Sequence, residues 1–378
     1  GKLLPESSKN IQGLLAKSSS PIDRASIEEL AAAGNWAELN NRFFRTLAFG
    51  TGGLRGKTIG AIVTKAEQGQ PQPLGRPEFA CVGTNAMNPY NISRATQGLV
   101  HYVKEHFAKQ GRSGKPAVCL CHDTRFFSRE FAELAAKVIT DLGCDAYLFE
   151  GPRSTPELSF AVRHVKAQAG INLTASHNPP EYNGYKVYWN DGGQIVPPHD
   201  HGIIQEVRGV EGPNAVHWGK DESSQSRIHI TTSAVDEAYL QTVTDLRMDQ
   251  NLIENGSDLP IVYTPLHGTG SVSVIPALAQ AGFRNVHIVE SQRNPDGNFP
   301  TVHSPNPEEG AALSAAIELA REVNAQLVLG TDPDSDRVGI AVPDAKASGG
   351  WRLLNGNETG ALLVDYVVNG RAANGTLK

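Results

Sequence analysis

Two segments of the chain repeat the same order of local patterns. Residues 116–151 and 259–291 each begin with a short apolar strand, pass through a polar turn into a run with helical spacing, and end in a second apolar strand. A glycine closes each helical run, Gly143 in the first and Gly282 in the second, as expected for a helix C-cap. Strands that alternate with helices predict an α/β fold with parallel strands covered by helices, and ligands at the carboxyl ends of those strands.

The repeats divide the 378 residues into predicted domains. We expect an N-terminal helical extension at 1–40, a first domain at 41–225, a second at 235–345 and the start of a truncated third at 346–378. The polar, glycine-bearing stretch 208–233 between the repeats is a predicted linker.

Composition limits the possible partners. A net charge of −6 and a pI near 6.1 provide no basic field for nucleic acid or for an anionic membrane. The N-terminus has no signal pattern, and no run of eighteen apolar residues occurs, so a cytoplasmic protein is predicted. Four cysteines are too few for a disulfide scaffold, and Cys119 and Cys121 alternate in an apolar run as strand residues do. The sequence does not indicate an oligomeric state.

An acidic loop follows a third apolar strand. In "GTDPDSDR" Asp332, Asp334 and Asp336 alternate, and three carboxylates this close repel one another unless a cation neutralises them. Oxygen ligands of this kind suit Mg²⁺ or Ca²⁺. The calcium EF-hand pattern fails, because Arg337 and Pro343 stand where it requires glycine and glutamate. A solvated acidic turn is the other reading, and the apolar strand before the loop favours the metal site.

A glycine-rich loop lies nearer the N-terminus. "FGTGGLRGKT" matches neither the Walker A nor the Rossmann pattern, because Thr51 and Arg55 occupy glycine positions. Its backbone amides and Arg55 are suited to receive a phosphate. A purely structural glycine turn is an equal alternative.

Ser176 lies in "TASHNPPEYNGYK", where Pro179 and Pro180 stiffen a turn after a strand. The G-x-S-x-G pattern of hydrolases is absent. Adjacent side chains in an extended segment point to opposite faces, so His177 is not automatically the base for Ser176. A serine that carries a phosphoryl group needs chiefly a metal and cations, which the acidic loop would supply. Taken by itself, a serine in this position is more often a turn residue.

These three motifs, in this order, resemble those of the α-D-phosphohexomutases, the phosphoglucomutase and phosphomannomutase group. The resemblance runs from about Arg45 to the end, and the form of the glycine loop is similar to that of the larger phosphoglucomutases and phosphopentomutases. It implies an α/β fold of repeated mixed, mostly parallel sheets sandwiched by helices, corresponding to domains I and II of that family.

The resemblance also implies site residues and cofactors. Ser176 would be phosphorylated, and the serine and the three aspartates would hold Mg²⁺. Arg337 would contact the phosphate, and Arg55 and Lys186 would serve in proton transfer and charge stabilisation. His177 would support the phosphoserine loop. Ser176 would pass its phosphoryl group to a sugar monophosphate, a bisphosphate such as glucose 1,6-bisphosphate would reorient, and the other phosphate would return, exchanging C1 and C6 of a hexose phosphate.

One departure from the family pattern limits this expectation. The family's sugar-selecting loop and its last phosphate-binding loop have no counterpart in the 378 residues. We therefore expect a fragment that binds Mg²⁺ but turns over poorly, since remote binding energy positions the reacting group. The preferred sugar phosphate stays open for the same reason.

Several alternatives remain. The chain is also compatible with a phosphopentomutase, with a noncatalytic phosphosugar-binding protein of the same fold, or with a Mg²⁺-dependent phosphatase that uses Asp332 as nucleophile. Two turn residues have no firm role: Arg125 either pairs with Asp123 or reaches the cleft, and His267 either meets an anion or completes a turn.

Overall fold

The computed structural model describes residues 2–231 and 233–377, which divide into two compact units. The first unit contains the residues up to Pro152, together with Leu158–Ala175 and Pro180–Thr231. The second unit contains Arg153–Glu157, Ser176–Pro179 and the residues that follow position 232.

Up to residue 231, three initial helices are followed by a mixture of strands and helices. In chain order they are α1 (Pro5–Lys17), α2 (Pro21–Ala32), α3 (Trp36–Phe43), β1 (Gly53–Lys57), α4 (Lys65–Gln68), α5 (Pro89–Lys109), β2 (Ala117–His122), α6 (Ser128–Asp141), β3 (Asp145–Phe149), α7 (Thr155–His164), β4 (Ala169–Leu173), β5 (Tyr182–Trp189), α8 (His199–Gly209) and β6 (Ile228–Thr231). Short 3-10 turns occur at Pro73–Gly75, Pro213–Ala215 and Glu222–Arg227.

The strands of the first unit form one mixed sheet in the order β1-β5-β4-β2-β3-β6. The four strands β4, β2, β3 and β6 run parallel, whereas β5 and β1 continue the sheet in antiparallel pairs. Buried residues of α5 and α6 pack with those of the central strands in one apolar core. β6 falls within the predicted linker 208–233, so the linker prediction is wrong there: Ile228–Thr231 pairs with β3.

The three N-terminal helices have an apolar cluster of their own. Leu30, Leu39 and Phe43 are almost completely buried in it. Beside this cluster the buried guanidinium of Arg42 pairs with Glu38 at 2.8 Å and with Glu67 at 2.5 Å. The positive charge of Arg42 is thus compensated by two carboxylates, which offsets the cost of burying these charges away from water.

The second unit repeats the alternation of strands and helices. Its elements are α9 (Ser233–Asp245), α10 (Gln250–Asn255), β7 (Ile261–Thr264), α11 (Gly270–Ala281), β8 (Val286–Ile288), α12 (Glu290–Arg293), α13 (Ser314–Glu322), β9 (Leu327–Thr331), β10 (Val338–Pro343), β11 (Trp351–Leu354) and α14 (Gly356–Ala373). The sheet order is β11-β10-β9-β7-β8, with β9, β7 and β8 parallel and β10 and β11 added as antiparallel strands.

The repeat predicted from the sequence is present in both units. Helix α6 connects the parallel strands β2 and β3, and α11 connects the parallel strands β7 and β8. Gly143 and Gly282 have φ values of 88° and 110°, the left-handed geometry expected after a helix. The predicted α/β class with mixed, mostly parallel sheets is therefore confirmed.

Candidate active site

The acidic loop follows β9 at the carboxyl edge of the second sheet. Asp332 and Asp334 are completely buried, whereas Asp336 is exposed. One carboxylate oxygen of each residue lies within 4.8 Å of the others, which is close enough for a shared cation. The alternating aspartates of the sequence thus converge on one point.

Backbone contacts fix the shape of this loop. The Ser335 N–H donates to the Asp332 carbonyl oxygen at 2.9 Å, and the Arg337 N–H donates to Asp332 Oδ1 at 3.0 Å. Ser335 has a left-handed φ of 55°, which a non-glycine residue adopts only where its surroundings hold it. The Arg337 side chain is exposed, so the predicted phosphate contact of this residue stays a prediction.

Ser176 belongs to the same unit and lies beside the acidic loop. Its Oγ donates to Asp332 Oδ2 at 2.7 Å, and the residue is 3% exposed. Its φ of 54° is also left-handed. The residue therefore stands in a strained turn next to the acids, and backbone strain of this kind clusters at active sites.

His177 lies beside the serine rather than opposite to it. Its Nδ1 is 3.1 Å from Ser176 Oγ. The expectation that the two side chains point to opposite faces is wrong, because residues 176–177 form a turn and not an extended segment. Since the hydroxyl hydrogen is directed to Asp332, the consistent tautomer has the His177 Nδ1–H donating to the serine oxygen. In that tautomer His177 orients the serine and does not deprotonate it.

The electrostatics of the loop favour a cation. Burial raises the pKa of Asp332 well above the ordinary range of an aspartate, and the charges of Asp334 and Asp336 raise it further. A divalent cation would offset this mutual repulsion, and carboxylate and hydroxyl oxygens are the hard donors that Mg²⁺ or Ca²⁺ takes. The residues present therefore fit a divalent metal ion.

Arg55 and Lys186 lie together in the first unit. Arg55 on β1 pairs with Gly184 of β5, and Gly53 pairs with Lys186, in an antiparallel register. Arg55 and Lys186 are consequently diagonal neighbours on one face of the sheet. Arg55 is exposed and Lys186 is half-buried.

The glycine loop before β1 has a structural reason for its composition. The N–H of Gly50 donates to the Gly53 carbonyl oxygen at 2.8 Å, which closes a tight turn. Gly53 has a φ of 129°, and a Cβ there would lie 1.7 Å from the Tyr185 carbonyl oxygen. A structural turn therefore explains why residue 53 is a glycine. Arg55 lies two residues later, on β1.

The two turn residues left open by the sequence have local partners. Arg125 is buried, its Nε lies 3.3 Å from Asp123 Oδ2, and its Nη1 donates to the Tyr182 carbonyl oxygen at 3.1 Å. His267 is buried as well, with its Nε2 2.9 Å from Thr301 Oγ1. The pairing of Arg125 with Asp123 is confirmed, whereas both alternatives for His267 stay predictions.

Sequence reasoning missed two threonines that hold the acidic loop. Thr155 Oγ1 donates to Asp334 Oδ2 at 2.7 Å, and its N–H donates to the Asp334 carbonyl oxygen at 2.8 Å. The Thr269 N–H donates to the Pro333 carbonyl oxygen at 2.8 Å. "RSTPEL" around Thr155 signals only the start of a helix, so nothing local in the sequence links it to an aspartate 179 residues away.

None of the helices within residues 2–231 and 233–377 is both long and apolar enough to cross a membrane.

Comparison with protein families matches both halves of the chain. Residues 80–212 match the phosphoglucomutase/phosphomannomutase alpha/beta/alpha domain I, and residues 237–347 match domain II of the same family. These two ranges include the serine loop and the acidic loop.

Individual relatives agree with the family match. A phosphoglucomutase of Staphylococcus epidermidis is 38% identical over 323 residues, which are 85% of this chain and 53% of that protein. A phosphopentomutase of Mus musculus is 35% identical over 351 residues, which are 91% of this chain and 52% of that protein. The chain thus spans about half the length of the curated relatives it matches.

Solved structures show the same fold. The crystal structure of a putative phosphomannomutase from Thermus thermophilus matches with a TM-score of 0.61 and 25% identity, covering 79% of this chain and 57% of that one. Two matched family domains, relatives above 30% identity and this shared fold lead to one conclusion: the chain belongs to the α-D-phosphohexomutase (phosphoglucomutase/phosphomannomutase) family.

Proposed function

We propose that the chain carries the phosphoserine and metal-binding half of a phosphohexomutase, which moves a phosphoryl group between C1 and C6 of a hexose phosphate. One observation carries the proposal: the Ser176 hydroxyl is hydrogen-bonded, at 2.7 Å, to a member of a three-carboxylate cluster. A solvated acidic turn would require neither two buried carboxylates nor a buried serine in left-handed geometry beside them.

The first transfer starts from phosphorylated Ser176. The P–Oγ bond of the phosphoserine breaks as a hydroxyl oxygen of the sugar monophosphate bonds to phosphorus, and the hydroxyl proton passes to a base. Lys186 is the candidate for that base, and Arg55 beside it stabilises negative charge on the sugar. The serine oxygen leaves with the electron pair of the broken bond and takes a proton from solvent, so the products are a sugar bisphosphate and a free Ser176 hydroxyl.

The second transfer reverses the roles. After the bisphosphate has turned around, Ser176 Oγ gives its proton to solvent and bonds to the phosphorus of the other phosphate. The bond from that phosphorus to the sugar oxygen breaks, and the proton held by Lys186 returns to the sugar oxygen. Phosphoserine is regenerated, so the sugar phosphate isomerises without net loss of phosphate. Glucose 1,6-bisphosphate is the corresponding intermediate and activator for glucose.

The aspartates and Ser176 are the proposed ligands of the metal. Asp332, Asp334 and Asp336 would hold Mg²⁺ together with the serine oxygen or its phosphate. The bound ion would neutralise charge on the phosphoryl oxygens. His177 orients the serine, and Arg337 is the candidate contact for its phosphate.

The experiment that tests the proposal follows the mass of the intact protein. Incubation of the 378-residue chain with glucose 1,6-bisphosphate and Mg²⁺ should add one phosphoryl group, and peptide mapping should place it on Ser176. Ser176→Ala should remain unmodified under the same conditions. An unmodified wild-type serine, with retained binding of the bisphosphate, would instead identify a noncatalytic phosphosugar-binding protein.

A second function has specific support, because the murine relative at 35% identity is a phosphopentomutase. The phosphorylated chain distinguishes the two functions. We expect glucose 1-phosphate or mannose 1-phosphate to remove the phosphoryl group from Ser176 faster than ribose 1-phosphate does. Faster removal by the pentose phosphate would assign the chain to the phosphopentomutases.

A further inference from the structure

The segment Arg153–Glu157 belongs to the second compact unit, although the chain on both sides of it belongs to the first. Thr155 lies at its centre, at the start of α7. Within the second unit, this segment contacts the acidic loop on one side and helix α9 on the other.

Thr155 holds Asp334 at two points. Its hydroxyl donates to Asp334 Oδ2 at 2.7 Å, and its backbone N–H donates to the Asp334 carbonyl oxygen at 2.8 Å. One bond fixes the backbone of the aspartate and the other fixes the rotation of its carboxylate. A ligand restrained in this way loses less conformational freedom when it binds a metal, which is how groups behind the ligands raise metal affinity.

Arg153 anchors the segment to α9. Its Nε donates to Asp236 Oδ1 at 3.0 Å and its Nη2 donates to Asp236 Oδ2 at 2.7 Å, which is the bidentate geometry of a strong arginine–carboxylate pair. The two side chains are only 12% and 20% exposed, so solvent screens the pair less than it screens a surface pair.

Glu157 provides a second anchor on the same helix. It is 1% exposed, its Oε1 lies 3.8 Å from Arg153 Nε, and its carboxyl group interacts with that of Asp236. Burial, and then this contact with the Asp236 carboxylate, raise the pKa of Glu157 to about 8. A protonated Glu157 donates to the carboxylate, whereas an ionised one repels it. Tyr239 of α9 hydrogen-bonds to Ser154, so α9 contacts three residues of the segment.

We propose that the 153–157 segment positions the metal-binding loop, with Thr155 fixing the carboxylate of Asp334 and with Arg153 and Glu157 fixing the segment to α9. Thr155 is a positioning residue, because it acts on a proposed metal ligand and is not one itself. The inference rests on the proposed function in one respect, namely that Asp334 binds the metal.

The test measures metal affinity directly. Mn²⁺ is titrated into the 378-residue chain and followed by calorimetry and by electron paramagnetic resonance of the free ion. Thr155→Val keeps the β-branched shape and the backbone N–H but removes the hydroxyl. We expect the Mn²⁺ affinity to fall about 10- to 100-fold, the range typical of lost partners behind metal ligands.

Two further variants serve as controls for Thr155→Val. Thr155→Ser retains the hydroxyl and should restore most of the affinity, which a merely structural role would not require. Thr242→Val makes the same substitution on the exposed face of α9, where the hydroxyl donates to the Ala238 carbonyl oxygen of the same helix, and it should leave the affinity unchanged.

The anchor is tested separately, which also covers the case in which Thr155→Val does not fold. Asp236→Asn keeps the size of the side chain but removes the charge that pairs with Arg153. We expect Mn²⁺ to bind a few-fold more weakly to Asp236→Asn.

The outcomes separate this inference from the proposed function. Tight Mn²⁺ binding by the wild type, with equal affinity in Thr155→Val and Asp236→Asn, would overturn the positioning role and leave the metal site standing. Failure of the wild-type chain to bind Mn²⁺ would overturn the metal site and the positioning role together.

Discussion

Ser176 Oγ donates a hydrogen bond to Asp332 Oδ2 at 2.7 Å, across 156 residues of sequence. This bond exists only while the serine is a free alcohol. Esterification removes its hydrogen and would place a phosphate against a buried carboxylate, and like charges at such a distance repel strongly in a desolvated site. The phosphorylated form should therefore depend on a cation more than the free serine does.

Replacement of Asp332 should abolish metal binding without lowering the stability of the metal-free protein. Burial and the charges of Asp334 and Asp336 oppose ionisation of Asp332, and Asp332→Asn replaces this carboxyl group by a neutral amide, so we expect the metal-free variant to be at least as stable as the wild type. The wild type should gain about 2.7 kcal/mol when Mg²⁺ is present at about 100 times its dissociation constant, and the variant should gain none. Thermal unfolding with and without Mg²⁺ measures both effects. Asp365→Asn on the exposed face of α14 is the control and should behave as the wild type.

Replacement of Lys186 should slow phosphoryl transfer without changing the binding of the metal. Lys186→Met keeps the length of the side chain without its charge, so loss of a general base should slow transfer from phosphoserine to glucose 1-phosphate by about 10²- to 10⁴-fold. Rapid quench followed by intact mass measures the rate. Lys115→Met, at an exposed position of the same unit, should transfer at the wild-type rate. An unchanged rate in Lys186→Met would remove this residue from the mechanism.

Glu157 should make stability fall with rising pH. The folded chain keeps the proton of Glu157 up to a pKa of about 8, whereas the unfolded chain releases it near 4.5. The folded state therefore binds more protons between these values, and the free energy of unfolding decreases by at most about 1.4 kcal/mol per pH unit from this group. Glu157→Gln imitates the protonated acid and should remove that contribution.

Urea unfolding of wild type and Glu157→Gln gives the comparison, at several pH values from about 5 to about 8.5. Glu322→Gln, at an exposed position of α13, should show the wild-type slope of stability against pH. Identical slopes for wild type and Glu157→Gln would mean that Glu157 is ionised in the folded chain.

A side chain at Gly184 should destabilise the fold. A Cβ at this buried strand position would lie 2.3 Å from the Thr174 carbonyl oxygen and 3.0 Å from that of Leu54, both of which are backbone atoms. We expect Gly184→Ala to lower the free energy of unfolding by about 1–3 kcal/mol, the usual cost of overpacking. Urea denaturation measures it.

Gly13 provides the matched control for Gly184. It lies inside α1 with nothing within 4 Å of a Cβ, so Gly13→Ala should raise the free energy of unfolding by about 0.5–1 kcal/mol. Equal effects of the two alanines would contradict the close approach of the strands at Gly184.

Local patterns predicted the repeating units well. Apolar strands, helical spacing and the closing glycines Gly143 and Gly282 identify β2-α6-β3 and β7-α11-β8, because each feature depends on neighbours in sequence. The alternating aspartates were recognisable for the same reason. The antiparallel strands β10 and β11 and the short β6 were not, since pairing with a distant strand decides whether such segments join a sheet.

The candidate site was predictable only in part. Ser176 and the aspartates were identified as separate motifs, but their hydrogen bond depends on tertiary packing. The contact between Ser176 and His177 was missed because an unforeseen left-handed φ at Ser176 turns the two side chains together. Thr155 was missed because its whole contribution lies in a contact with a residue 179 positions away.

The four cysteines, which are all buried, permit an experiment that needs no engineering. Cys81, Cys119, Cys121 and Cys144 lie in the first unit, and burial raises the pKa of Cys81, Cys119 and Cys144 to about 12. A thiol-reactive reagent can therefore label the chain only while that unit is open. The rate of alkylation therefore measures how often the core of the first unit becomes exposed. It does so separately from any unfolding of the sheet that carries the acidic loop.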